Sequence, residues 1–131
     1  MKMKNKQNEE TVQTHCAKLL EAYAREDVCW FAVPNGGLRP KRTAFKLKQQ
    51  GVKRGVSDLF FIINGKSIGL EIKPATGGVQ SDKQSDWQER LERAGGFYYL
   101  ARGLSEAVVI MNRIGAFRMP IKLTSETVTQ A

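Results

Sequence analysis

The architecture of this chain turns on Ser57-Asp58-Leu59-Phe60-Phe61-Ile62-Ile63-Asn64-Gly65-Lys66-Ser67-Ile68-Gly69-Leu70-Glu71-Ile72-Lys73. Two apolar runs flank Asn64-Gly65, the dipeptide most strongly biased toward a two-residue hairpin loop, because both loop positions need a positive φ. Such a loop pairs Ile63 with Lys66, Phe61 with Ile68 and Asp58 with Glu71. Side chains alternate across a strand, so Asp58, Glu71 and Lys73 share one face. Leu59, Phe61, Ile63, Ile68, Leu70 and Ile72 share the other, which is a plain core face. A slip of one residue would put Asp58 and Glu71 on opposite faces, so everything downstream depends on that turn.

Like charges opposed across a strand pair are destabilising, and folding alone gives no reason to set Asp58 against Glu71. A divalent cation removes the penalty: Mg²⁺ is held by one or two carboxylates while it keeps several waters. Lys73 would stand beside it, placed to polarise a water or neutralise a phosphate. The set suits metal-assisted phosphodiester hydrolysis, in which the cation acts as Lewis acid and lowers the pKa of its water. Glu-x-Lys alone is a common tripeptide, and solvated charges at two strand ends would also explain it. The register favours the site because one assumption aligns all three groups.

Composition narrows the partner. The 131 residues, 41% hydrophobic, fit one domain with an ordinary core. A net charge of +8 points to an acidic partner, nucleic acid before membrane. The basic start Met1-Lys2-Met3-Lys4-Asn5-Lys6 lacks a following apolar region, so the expectation is a protein that is not secreted and works in the cytoplasm. No apolar run approaches the roughly 18–20 residues that span a bilayer. Cys16 and Cys29 form neither a disulfide framework nor a zinc spacing and are expected to be small buried residues. His15 is the lone histidine, which argues against histidine-based metal sites and Ser-His-Asp catalysis.

Outward from the hairpin, the organisation is a flexible basic stretch at residues 1–8, one domain over 9–113, and a tail or short edge strand over 114–131. Val12, Cys16, Leu19, Leu20 and Tyr23 have helical spacing between about Glu9 and Glu26. Glu9 points roughly where that apolar stripe points, although an acid in a first turn is ordinarily explained by the helix dipole. Val28-Cys29-Trp30-Phe31-Ala32-Val33 reads as a buried strand. Between Gly36 and Ser57 there are seven bases and no acid: Arg39, Lys41, Arg42, Lys46, Lys48, Lys53 and Arg54. A run this one-sided, entering the site at Asp58, is a surface for phosphate contacts, which position a nucleic acid without reading its sequence. Within it Thr43 to Gln50 forms a short helix with Phe45 turned inward and Ala44 and Leu47 as further inward candidates.

After the hairpin, Ser81-Asp82-Lys83-Gln84 matches a capping box opening a helix to about Ala94, with Trp87, Leu91 and Ala94 inward. Gln84 lies on the same stripe and can either close the box or reach the carboxylates. Phe97 to Ala101 is a strand parallel to the one carrying Glu71, since strand, helix, strand favours a parallel crossover. Ser105 caps a last helix from Glu106 to about Arg113. The layout is an α/β sandwich around one mixed sheet flanked by helices.

These residues resemble a known family. The order of elements, with Ser57-Asp58 and then Glu71-Ile72-Lys73, resembles the PD-(D/E)xK nuclease superfamily, and more closely its VRR-NUC branch, the virus-type replication-repair nuclease domain. Glu9 with Val12-Gln13, Pro34-Asn35-Gly36-Gly37-Leu38-Arg39, Gly55-Val56-Ser57-Asp58-Leu59 and Leu70-Glu71-Ile72-Lys73 carry the likeness. Gln84 with Trp87, Leu91 and Gly95-Gly96-Phe97, then Ser105-Glu106-Ala107, extend it over roughly residues 9–113. The resemblance implies a restriction-endonuclease-like αβββαβ core and a metal-dependent DNA endonuclease acting on branched DNA such as a Holliday junction, as a phage-type homodimer in the host cytoplasm. It implies Mg²⁺ or Mn²⁺ on Asp58, Glu71 and the Ile72 carbonyl. Lys73 would activate the attacking water, with Gln84 and Glu9 completing the site. Asn35, Arg39, Lys41, Arg42, Lys46, Lys53 and Arg54 would contact the nucleic acid. Ser57 departs from the family, where proline usually precedes the aspartate, and the departure bears on backbone rigidity there. The alternative is a nucleic-acid-binding module on the same fold without chemistry, which would have no physical need to oppose two carboxylates.

Overall fold

The computed structural model describes residues 2–34, 40–123 and 128–130, with side chains described for 9–34 and 40–123. Asn64 and Gly65 both take positive φ, at 51° and 77°, the conformation a two-residue hairpin loop demands. They join β2 (Leu59–Ile63) to β3 (Lys66–Lys73) in the expected register, Ile63 opposite Lys66, Phe61 opposite Ile68 and Leu59 opposite Leu70. On one side β1 (Val28–Ala32) pairs antiparallel with β2, and on the other β4 (Phe97–Arg102) pairs parallel with β3. The result is a four-stranded mixed sheet in the order β1-β2-β3-β4, within the expected αβββαβ sequence of elements.

Helix α1 (Lys2–Tyr23) and helix α4 (Gly103–Arg113) pack on each other and on β3. Val12, Cys16, Leu19 and Leu20 of α1 and Ala107, Val108 and Met111 of α4 meet Leu59, Phe61, Leu70 and Ile72 in one buried core. Each fully buried aliphatic or aromatic side chain there contributes about 1.5–3 kcal/mol. Helix α3 (Asp82–Arg93) lies against β4 on the opposite face. Its Trp87 meets Phe60 edge-on at 6.1 Å, and its Leu91 lies so close to Gly69 that a Cβ there would stand 3.2 Å from a Leu91 methyl.

Several expectations shift. Strand β1, read as buried, is the sheet edge: Val28 is buried, whereas Cys29, Phe31 and Ala32 are exposed. An unbroken apolar run has the same appearance in a central strand and in an edge strand backed on one side. Cys29 is therefore exposed, and only Cys16 is the buried thiol expected of both. Helix α1 begins at Lys2 and stops at Tyr23, short of Glu26, because Ala24 bridges to Phe117 and Arg118 N donates to the Tyr23 carbonyl at 2.9 Å. The core continues past 113 to include Ala116, Phe117 and Ile121. β5 (Ile121–Leu123) pairs with β6 (Val128–Gln130) in a small separate sheet.

Ser105 is not the cap of α4. The helix starts at Gly103, whose φ of 83° turns the chain sharply, and Glu106 Oε1 accepts from Arg102 N at 2.8 Å.

The other correction concerns α2 (Lys41–Gln49). It forms close to the expected bounds, but it buries none of its residues, and Phe45 is 62% exposed. Its own geometry explains this. Residues three and four apart share a helix face, so Phe45 shares its face with Lys41, Arg42 and Lys48, while the half-buried Leu47 lies on the far side. Docking the ring on the sheet would desolvate three bases. No helix among the described residues is long and apolar enough to cross a membrane.

Candidate active site at the ends of β2 and β3

Asp58 stands one residue before β2 and is held from both sides. Its carbonyl accepts from Val33 N at 2.9 Å, at the end of β1. Its side-chain Oδ2 accepts from Ile72 N at 2.7 Å, in β3. The carboxylate is thus fixed beside Glu71, two strand residues from Lys73. Ile72 turns its side chain into the core, fully buried, so only its backbone belongs to the site.

Glu71 is 2% exposed, on a strand backed by the core and overlain by α3. Gln84 holds it there. The Gln84 amide does at once both things its position allowed: its Oε1 accepts from Ser81 N at 2.9 Å, closing the capping box, and its Nε2 donates to Glu71 Oε2 at 2.8 Å. The return bond, Gln84 N to Ser81 Oγ at 3.2 Å, fixes the first turn of α3. The cap leaves the amide nitrogen no direction but toward the sheet.

The second Glu71 oxygen, Oε1, is buried without a hydrogen-bond partner. Burial is the main reason that the Glu71 carboxyl is pushed up to about 9. The nearby Asp58 carboxylate raises it further, and Lys73 opposes the rise. A buried ionised carboxylate with an unbonded oxygen and a second acid beside it is costly. Glu9, on α1, feels the same field: burial raises its pKa, Asp58 raises it further, and Lys73 lowers it. Glu9 therefore lies within electrostatic reach of Asp58 and Lys73. Lys73 is half-buried and forms no ion pair among the described residues.

These groups fit a hard divalent cation. A buried, partnerless carboxylate oxygen and an opposed aspartate are the donors such an ion takes, with water filling its remaining positions. Among the described residues no group of three or more His, Cys, Asp or Glu side chains is arranged to hold a metal.

Three small residues seat the site, and sequence reading gave them no such role. A Cβ at Gly55, which has a φ of 80°, would overlap the Lys83 backbone in the first turn of α3. That contact seats the exposed Lys53 and Arg54 beside the helix that carries Gln84. Gly69 leaves room for Ser57, which is fully buried, so the position where proline was expected demands a small side chain. At Gly78 a Cβ would come within 2.9 Å of Lys73 Cβ, so the loop after β3 folds back over the lysine stem. Gln80 anchors that loop by donating to Gln88 Oε1 at 2.7 Å and to the Tyr98 hydroxyl at 3.1 Å. A glycine reads the same in sequence whether it serves a plain turn or a close approach to a distant element, which is why these roles were hidden.

Of the expected nucleic-acid contacts, Lys41, Arg42 and Lys46 are exposed on α2, and Lys53 and Arg54 are exposed in the segment leading to Asp58. Asn35 and Arg39 lie outside the described residues.

No family model and no curated protein matches this chain. Among solved structures it is similar to one described as a VRR_NUC domain protein, with a TM-score of 0.68 and 20% identity over 82% of this chain and 87% of that one. At that identity the likeness establishes the fold, and the fold of this chain is that of a VRR_NUC domain.

Proposed function

We propose that this protein is a Mg²⁺- or Mn²⁺-dependent DNA endonuclease that hydrolyses phosphodiester bonds, with a preference for branched or junction DNA. The observation that carries the proposal is Glu71: buried, opposed by Asp58, bonded to Gln84 through one oxygen and partnerless through the other. A fold that served only to bind would be more stable with an apolar or amide residue there.

Asp58, Glu71 and the Ile72 carbonyl would hold the cation. When bound, it supplies Lewis-acid polarisation of the scissile phosphate and a water of lowered pKa. The chain's own groups do the rest. The bond from Ile72 N keeps one Asp58 oxygen turned toward β3. Gln84 orients the Glu71 carboxylate plane through its capped amide. Lys73, its stem pressed by the loop at Gly78, orients the attacking water and offsets charge building on the phosphate oxygens. Glu9 lies within electrostatic reach of Asp58 and Lys73 and would complete the site. The bases of α2 and of the segment before Asp58 bind the backbone of the nucleic acid, which makes affinity fall steeply with salt. Action of two copies on the arms of one junction is the form the resemblance implies.

The test is incubation of purified protein with linear, flap and four-way-junction DNA, with EDTA, Mg²⁺ or Mn²⁺, alongside Asp58→Ala. Metal-dependent cleavage that Asp58→Ala abolishes, fastest on the branched substrates, is expected. Equal cleavage by Asp58→Ala would remove this site from the chemistry, and equal rates on all three substrates would remove the structural preference.

A further inference from the structure

We propose that Phe45 is a stacking or wedging ring that recognises unpaired or unstacked bases, so that α2 selects distorted nucleic acid over regular duplex. The inference rests on the nucleic-acid reading above and goes beyond it, because phosphate contacts alone cannot distinguish a branch from a straight duplex.

Two independent observations carry it. Phe45 is 62% exposed, and none of the nine residues of α2 is buried, Leu47 alone being half-buried. A helix this short is marginal in water and gains from whatever covers its exposed face. The chemistry around the ring says which partner. Lys41 lies four residues before Phe45, Arg42 three before and Lys48 three after, so bases border the ring on its own helix face, and the helix contains no acid. An apolar protein surface would have to desolvate those bases. A nucleic acid pairs each with a phosphate and leaves the ring opposite the bases of the strand. Aromatic rings stack on single-stranded bases regardless of sequence, and apolar wedges enter base steps that are already weakened. A regular duplex presents no free base face to the ring.

The experiment measures anisotropy binding in EDTA, where nothing is cut, to two probes of equal length and charge. One is a fully paired duplex and the other carries a central three-nucleotide bulge. Wild type, Phe45→Ala, Phe45→Trp and Lys46→Ala are compared, with circular dichroism confirming that each folds; Phe45 is 62% exposed and outside the buried core, so its loss should not unfold the domain. Phe45→Ala is expected to weaken bulge binding about 5- to 100-fold more than duplex binding, the range that one stacked base supplies, and Phe45→Trp to restore the preference. Lys46→Ala is expected to weaken both probes in parallel and lower the salt slope by about 1.

If Phe45→Ala shifts both probes equally, or neither, Phe45 does not read base exposure and the inference falls while the nucleic-acid reading stands. If wild type binds neither probe, the nucleic-acid reading itself has failed. If sedimentation shows a wild-type dimer that Phe45→Ala converts to monomer, a second copy covers the ring and the inference is overturned.

Discussion

Replacing Asp58 by asparagine should make the metal-free protein more stable, even though it removes a residue assigned to the site. Asparagine retains an acceptor for Ile72 N, which now bonds to Asp58 Oδ2 at 2.7 Å. Its amide can donate to Glu71 Oε1, which is buried and has no partner. Two gains add. Removing a like charge across a strand pair is worth about 0.2–1 kcal/mol, and satisfying a buried polar atom is worth about 1–3 kcal/mol. Because Glu71 escapes part of its cost by holding a proton near neutrality, a net gain of about 1–2 kcal/mol is expected from these terms. For a chain of this size that corresponds to a rise in Tm of roughly 3–10 °C.

The gain must depend on pH with a definite sign. The Glu71 carboxyl moves from an ordinary 4.5 to about 9 on folding. The folded state therefore binds more protons than the unfolded state between those values, and wild-type stability falls as pH rises through that window. The difference between Asp58→Asn and wild type should be small near pH 5 and largest near pH 9. Thermal melts in EDTA across that range measure it, and melts with Mn²⁺ or Mg²⁺ supply the reverse arm, where ligand linkage stabilises wild type more than the variant. A variant that melts at or below the wild-type temperature at pH 8 in EDTA would show that Asp58 and Glu71 do not repel.

Gln84→Glu keeps the capping acceptor but replaces the donor to Glu71 with a third acid, so metal-free stability should drop by about 1–3 kcal/mol, and unchanged melting would contradict the Gln84–Glu71 bond. Gly55→Ala places a Cβ against the Lys83 backbone at a positive φ; a loss of more than about 1 kcal/mol by denaturant titration is expected. Native protein should expose one fast-reacting thiol, Cys29, to a disulfide reagent. Cys16, buried with its pKa pushed up to about 12, should react only after denaturation; two fast native thiols would contradict the burial of α1.

The hairpin was legible because its turn chemistry and its parity are local: Asn64-Gly65 admits one favoured loop, and that loop dictates which side chains share a face. Gln84 was legible as a pair of alternatives, and the structure uses both because an amide has an acceptor and a donor at opposite ends. What escaped were relations that no local period records. Whether Val28–Ala32 lies at the centre or the edge of the sheet depends on neighbours far along the chain. Ala116, Phe117 and Ile121 are too sparse to form a pattern, and they are held in place by distant partners: the chain at the end of α1 pairs with 116–118, and Asn112 of α4 bonds to Ile121. Phe45 was assigned inward because an apolar residue in a short helix ordinarily faces the core. Its flanking bases at three- and four-residue spacing were the available signal against that. The burial of Glu71 under α3 is likewise a tertiary fact, and it separates a solvated Glu-x-Lys from a strained one.

The role of Lys73 provides the most direct test of the central claim. Single-turnover cleavage of a four-way junction with Mn²⁺ should be slowed about 10²–10³-fold by Lys73→Ala, the range lost with one preorganised group that stabilises developing charge. Over the same titration the variant should still gain thermal stability with Mn²⁺, because Asp58 and Glu71 remain. Cleavage by Lys73→Ala at the wild-type rate would contradict the assignment of the chemistry to the ends of β2 and β3.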